Sequence, residues 1–327
     1  MTEAVDAVAE APGVREAVPT SRKSQRIPIA IMLVLIVVAP FFVYPVFLMK
    51  ALCFALFACA FNMLLGYSGL LSFGHALFFG GAAYATAYAA QTWGWHPETA
   101  ILLGMATALV LGTIVGLLAI RRQGIYFAMI TLALAQMFYF FCVRAPFTGG
   151  EDGLQGVPRG KLFGVISLQN TWAMYTFVAA IFLIGFAILF RAVHSPFGQV
   201  LKAIRENEPR AISLGYDADR YKLIAFILSA TLAGLAGSTK CLVFELASLT
   251  DVNWTMSGDI ILMTLIGGVG TTFGPIFGAV FLVTLENYLA QLGSWVTVVE
   301  GTIFIVCVLA FRRGLFGELS RWLKREL

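Results

Sequence analysis

The chain has 327 residues, of which 59% are hydrophobic and 12% charged, with a formal net charge of +4. The charged share is about half that of an ordinary globular protein, which excludes a soluble fold, because too much apolar surface would need hiding. Lys and Arg gather in loops and tails near apolar runs and not on one continuous face, a pattern of membrane anchoring and orientation that argues against nucleic-acid binding.

In chain order, residues 1–26 form an acidic, Ala-rich polar tail expected to be disordered. It is not a cleavable signal, because Arg22, Lys23 and Arg26 come late and no small-residue cleavage site follows. A helical span needs about 20 mostly apolar residues to cross about 30 Å of hydrocarbon. Runs of that kind are predicted at 27–43, 46–65, 70–90, 99–120, 125–143, 171–190, 223–244, 258–268, 275–292 and 296–311. The expected fold is therefore all-α and polytopic, a membrane domain over 27–313 with about ten transmembrane or re-entrant helices and a second polar tail at 314–327. Alternating spans place Arg22/Lys23/Arg26, Arg121/Arg122, the group from Lys202 to Lys222, and Arg312/Arg313 with Arg321/Lys324/Arg325 on one face. Lys and Arg are retained on the cytoplasmic side, so both termini are expected inside and the 144–170 loop outside. Cys53, Cys59, Cys142, Cys241 and Cys307 all fall within apolar runs without CxxC spacing and read as packing residues, with no metal site.

Two stretches break the helical pattern. One holds Gly66, Gly69, Ser72, Gly74 and His75; the other holds Gly267, Gly268, Gly270, Gly274 and Pro275. Each glycine costs about 1 kcal/mol in a helix interior, so continuous helix is not expected through either. Both adjoin small residues, Gly80 to Ala83 and Gly274 to Gly278, that permit close helix contact. Broken segments at corresponding points of two halves mark transport pathways; tight turns between short spans are the alternative, and spacing leaves both open.

The polar loop 194–220 reads as two short helices. Phe197, Leu201 and Ile204 share one face, with Lys202, Arg205 and Glu206 on the other. Pro209 suits a first helical turn, Gly215 a left-handed stop, and Asp219 is placed to cap the next span. Such helices either make a projecting docking surface, through Arg205, Glu206, Asn207, Glu208, Leu214 and Gly215, or form a plain connector.

Phosphate-loop spacing is missing; the fragment Gly237 to Lys240 lacks the preceding glycine and the following Ser or Thr. Neither an HExxH motif nor a nucleophile triad is present, so an enzyme is not expected. His75 reads as a hydrogen-bonded packing residue. Lys50, Glu245, Glu286 and Glu300 fall towards outer span ends, leaving Asn62, Thr131 and Gln136 as uncharged intramembrane candidates. Ion-coupled carriers usually need ionisable groups at the midplane, so an external energy source is expected.

The run Asn62 to Tyr84 resembles the signature of LivM-type permeases of branched-chain amino acid ABC importers. So do Gly124 to Ala133, Thr148 to Leu154, Ala203 to Glu208 with Leu214 and Gly215, and Ile260 to Pro275. The resemblance implies a type II ABC importer-like permease in a bacterial cytoplasmic (inner) membrane. It also implies a LivH-like second permease, two cytoplasmic ATPase subunits that use the ATP, and an extracytoplasmic substrate-binding protein, with no cofactor held by this chain. The family's ATPase contact runs through the loop corresponding to 195–214. Relatives handling urea, other amino acids or aromatic acids leave the solute open; a stand-alone channel or secondary carrier is the competing class.

Overall fold

The computed structural model describes residues 26–162, 164–289, 298–299, 301–303 and 305. The expected tails, the 296–311 span with Cys307, and Glu300 lie outside the described residues, except for the few positions named. Among the described residues, eleven α-helices have defined bounds. They are α1 (Arg26–Val38), α2 (Pro45–Asn62), α3 (His75–Thr92), α4 (Pro97–Ala119), α5 (Ile125–Arg144), α6 (Thr171–Val193), α7 (Pro196–Glu206), α8 (Glu208–Ser213), α9 (Ala218–Phe244), α10 (Trp254–Gly267) and α11 (Gly274–Leu289). Among the described residues, five segments are long and apolar enough to cross a membrane: α2 with its continuation to Ser68, α4, α5, α6 and α9.

The core is a trio, α3, α4 and α9, packed on one another more extensively than any other helices, with α2 laid against α9. Small residues at every fourth position allow this. Gly104, Ala108, Gly112 and Gly116 form a stripe on α4, and Ala230 and Gly234 a matching one on α9. A methyl on Gly112 would stand 2.6 Å from the Ala230 Cβ, and one on Gly116 2.8 Å from Leu223 Cδ1. Lipid gives no hydrophobic drive for helix association, so close backbone approach supplies the contact energy. Gly237, in the fragment without a phosphate loop, presses on the Phe79 carbonyl for the same reason.

Several boundaries differ from the sequence expectations. The third helix starts at His75, not residue 70, because the chain climbs non-helically from Gly69 to Gly74. α9 starts at Ala218, capped by Asp217, whose carboxylate accepts from Arg220 N at 3.3 Å; Asp219, the expected cap, sits in the first turn. α10 has 14 residues, or about 21 Å at 1.5 Å per residue, too short to cross.

Arg121 and Arg122 lie at the same end of the bundle as the 194–220 loop, since Gln123 Nε2 donates to Glu208 Oε2 at 3.0 Å. At the opposite end, Trp93, Trp95 and Trp172 are exposed and the Phe41 ring lies tilted against Trp172 at 5.5 Å, an arrangement suited to a lipid–water boundary. There the 144–170 loop forms β1 (Leu154–Gln155), β2 (Lys161–Leu162) and β3 (Ile166–Ser167). β1 pairs antiparallel with β4 (Leu246–Ala247), while β2 pairs with β3.

Candidate functional site

The two glycine breaks, about 200 residues apart in sequence, meet in space. α2 ends in a π-helical turn, Met63–Ser68, closed by Gly69 in the left-handed region (φ 74°). Asn62, buried in that helix, donates to the Thr271 carbonyl at 2.8 Å and accepts from Gly270 N at 2.9 Å. One amide thus satisfies two backbone groups of the second break, which no helix can serve. Gly66 lies directly against Gly270; a methyl there would be 2.5 Å from Asn62 Oδ1 and 2.6 Å from Gly270 N. Gly268 and Gly270 have φ of 116° and 78°, and Gly267 abuts the Gly274 carbonyl. Pro275 is buried in the first turn of α11, where its lack of an N–H costs nothing.

The 194–220 loop grips this junction. α7 buries Leu201 and Ile204 as expected, and its polar face reaches the π-turn. Lys202 Nζ stands 5.3 Å over the Tyr67 ring, while Arg205 Nη1 donates to the Gly66 carbonyl and lies beside Gly270. The last carbonyls of a helix lack intrahelical donors, and a cation suits that end of the dipole. α8 is capped by Asn207, whose side chain accepts from Arg210 N at 3.0 Å, and stops at Leu214 and Gly215 (φ 91°). Glu208 pairs with Lys222 of α9 at 2.6 Å. α7 and α8 therefore contact the first break directly, the second through Arg205 beside Gly270, α9 through Glu208–Lys222, and the α4–α5 turn through Gln123. Glu206, Ile212, Leu214 and Tyr216 remain exposed beyond the bundle.

Above the junction, α3 and α10 both begin inside the bundle. His75 Nε2 lies 2.9 Å from Ser229 Oγ, and Ser229 donates its hydroxyl hydrogen to the Ala60 carbonyl, so the imidazole is the donor to Ser229. Ser229 is near the middle of α9, which has 27 residues, about 40 Å in length. Ala76 N donates to Ser257 Oγ in the first turn of α10 at 2.9 Å, which puts the N-termini of both helices at this depth. Ser72 Oγ accepts from Gly74 N, and Thr131 Oγ1 from Phe73 N, each at 3.2 Å. His75 is thus a packing residue boxed by Phe61, Phe78 and Phe226, though its partner is a hydroxyl and not a broken helix's backbone. Gln136 lies half-buried on α5, outside this network, with no side-chain hydrogen bond among the described residues.

A family model described as "Branched-chain amino acid transport system / permease component" matches residues 45–308. The chain belongs to that family. The permease is 25% identical over 286 residues to the high-affinity branched-chain amino acid transport system permease protein LivM of Salmonella typhimurium, covering 80% of this chain and 67% of the relative. It is 25% identical over 271 residues to a probable LivM of Methanocaldococcus jannaschii, covering 69% and 75%. It is also 27% identical over 243 residues to the ribose import permease protein RbsC of Bacillus subtilis, covering 67% and 70%. No solved structure matches.

Near the C-terminal end of α9 the permease also holds a buried ion pair. Lys240, inside α9, bonds both oxygens of Asp251 at 2.8 and 2.7 Å, and Asp251 is 1% exposed. Asp251 lies in the 3₁₀ turn Leu249–Asp251, packed on Gly80 of α3, where the chain re-enters the bundle before α10. Irregular backbone at such depth survives when buried in protein. Asp251 follows Lys240 by eleven residues across a turn, so nothing local pointed to the pair. At this same end of α9, Glu245 pairs with Arg159 at 2.9 Å, and Glu286 pairs with Lys50 at 2.8 Å, so neither carboxylate is idle.

Substituting Gly270 by Leu is expected to impair transport, since a left-handed φ costs an L-residue about 1–2 kcal/mol and the side chain would meet Gly66 and Arg205. Uptake at the wild-type rate would show the junction to be peripheral.

Proposed function

We propose that the chain is the membrane subunit of an ATP-driven importer for branched-chain amino acids or a related small solute. In this reading it works with a LivH-like permease, two ATPase subunits and an extracytoplasmic binding protein. The observation that carries it is the Arg205 contact: the projecting helices hold both glycine breaks together, so a partner's stroke on α7 and α8 has a direct route to irregular backbone within the bundle. Exposed Ile212, Leu214 and Tyr216 with Glu206 supply an apolar and charged face for an ATPase. The loop end is then cytoplasmic, and the solute path follows the segments where α3 and α10 start. ATP binding and hydrolysis bias the access states of the membrane pair. This chain supplies the gate and no catalytic group.

The likeness to ribose permeases supports a second reading in which the solute is a sugar. Ligand choice then rests on the binding protein, and identifying the ligand that co-purifies with it decides between the two.

Reconstitution tests the class. The chain alone in liposomes is expected to pass no leucine, and the complete assembly to take it up only with ATP. Flux through the lone chain would sink the importer reading. Glu208→Lys is expected to uncouple the assembly, because it repels Lys222 and breaks the tie to α9. ATP-driven uptake equal to wild type in that variant would count against the coupling role.

A further inference from the structure

A cavity of about 260 Å³ opens between the end of α4 and the start of α9, at the same end of the bundle as the coupling loop. Its lining combines apolar Gly116, Leu117 and Leu223 with Arg121, Asp219 and the Arg220–Asp217 pair, the last closed at 2.7 Å. Arg121 and Asp219 have no ion-pair partner among the described residues. From the cavity, an exposed stripe continues along α4 through Leu117, Ile114 and Val110, beside exposed Ile224 of α9. The spacing i, i−3, i−7 keeps these side chains on one helix face. Charge of both signs thus sits at one end of an apolar track that leads along the spans.

We propose that this cavity holds the headgroup of a zwitterionic phospholipid with a primary amine, of the phosphoethanolamine type, its acyl chains lying along the α4 stripe. The phosphate meets Arg121 and the ammonium meets Asp219. A choline headgroup offers Asp219 no N–H donor, and a phosphoglycerol offers it hydroxyl donors but no cation. Either therefore satisfies half of the charged lining. A bilayer component is the fitting occupant, since the apolar stripe that continues from the cavity along a membrane-length helix is exposed. Such a lipid would press on the first turn of α9, which Lys222–Glu208 joins to α8, and so brace the junction through which the coupling loop acts.

The test is retention of lipid by the purified full-length protein, measured by native mass spectrometry after equilibration with equal amounts of phosphatidylethanolamine, phosphatidylcholine and phosphatidylglycerol. Wild type is expected to keep phosphatidylethanolamine about fivefold over the other two, the upper range of a part-exposed ion pair. Asp219→Asn is expected to abolish that preference, and Arg121→Gln to lower retention of all three. Both residues are exposed, so thermal stability in detergent should match wild type, separating a lost site from a lost fold. Equal retention of the three lipids by wild type, adventitious boundary lipid only, would overturn the proposal, as would an unchanged ranking in Asp219→Asn. Displacement by excess water-soluble glycerophosphoethanolamine would also overturn it, by showing a soluble-ligand site. None of these outcomes depends on the transport reading.

Discussion

Replacing Lys240 by Met is expected to destabilise the permease by about 3–5 kcal/mol, because Asp251 would stay buried with its charge uncompensated. The carboxylate keeps weak help from Ser248, whose N and Oγ donate to Oδ2 at 3.3 and 3.2 Å. It loses two bonds under 3 Å and the only cation beside it among the described residues. The readout is the melting temperature of the detergent-solubilised protein, followed by fluorescence-detected size exclusion. Lys240→Met with Asp251→Leu should recover most of the loss, since a well-packed apolar pair of similar volume often equals a buried ion pair. If the single variant melts like wild type, the pair is not what holds the 245–253 segment in the bundle. If the double variant recovers stability but the assembly no longer transports, the charges serve the transport cycle and not the fold.

The second large effect concerns coupling. Arg205→Met is expected to leave ATP hydrolysis by the reconstituted assembly intact and to lower uptake roughly tenfold, since a charge-assisted hydrogen bond at a part-exposed site is worth about 1.5 kcal/mol. Methionine keeps the aliphatic contact with Gly69, whose added methyl would lie 3.0 Å from Arg205 Cγ, and removes the donor to Gly66. The ratio of uptake to ATP hydrolysis is therefore the measurement. A parallel fall in both would point to lost docking, and an unchanged ratio would show that force reaches the breaks by another contact, with Lys202 over Tyr67 the first to examine. Asn62→Leu should act on the same junction from the other side. It strands Gly270 N and the Thr271 carbonyl, each worth about 1–3 kcal/mol when buried without a partner, and is expected to lower the melting temperature as well as uptake.

These two sites differ in how far local sequence could reveal them. Arg205 was legible as a polar-face residue of a short amphipathic helix, and Pro209 and Gly215 marked the bounds of the next, because capping and turn chemistry act over a few residues. The glycine breaks were legible for the same reason, since excess glycine is unfavourable in a helix wherever it occurs. Lys240 was not read, because its partner comes eleven residues later beyond a turn, and a cation near a span end ordinarily faces the interface. The small-residue stripe of α4 was present at period four but has meaning only against α9.

By itself, then, the sequence determined that the chain belongs in a membrane, where glycine breaks its helices, and that the 194–220 loop forms two helices. Each follows from local apolar length or backbone preference. Only the tertiary structure decided that Asn62 binds the break at Gly270, 208 residues away, that α3 and α10 start at one depth, and that Asp251 finds Lys240. The reason is physical: lipid is as apolar as the side chains it touches, so hydrophobic periodicity does not say which helix faces meet. That choice falls to small-residue packing and to polar groups needing partners, and both lie between segments distant in the chain.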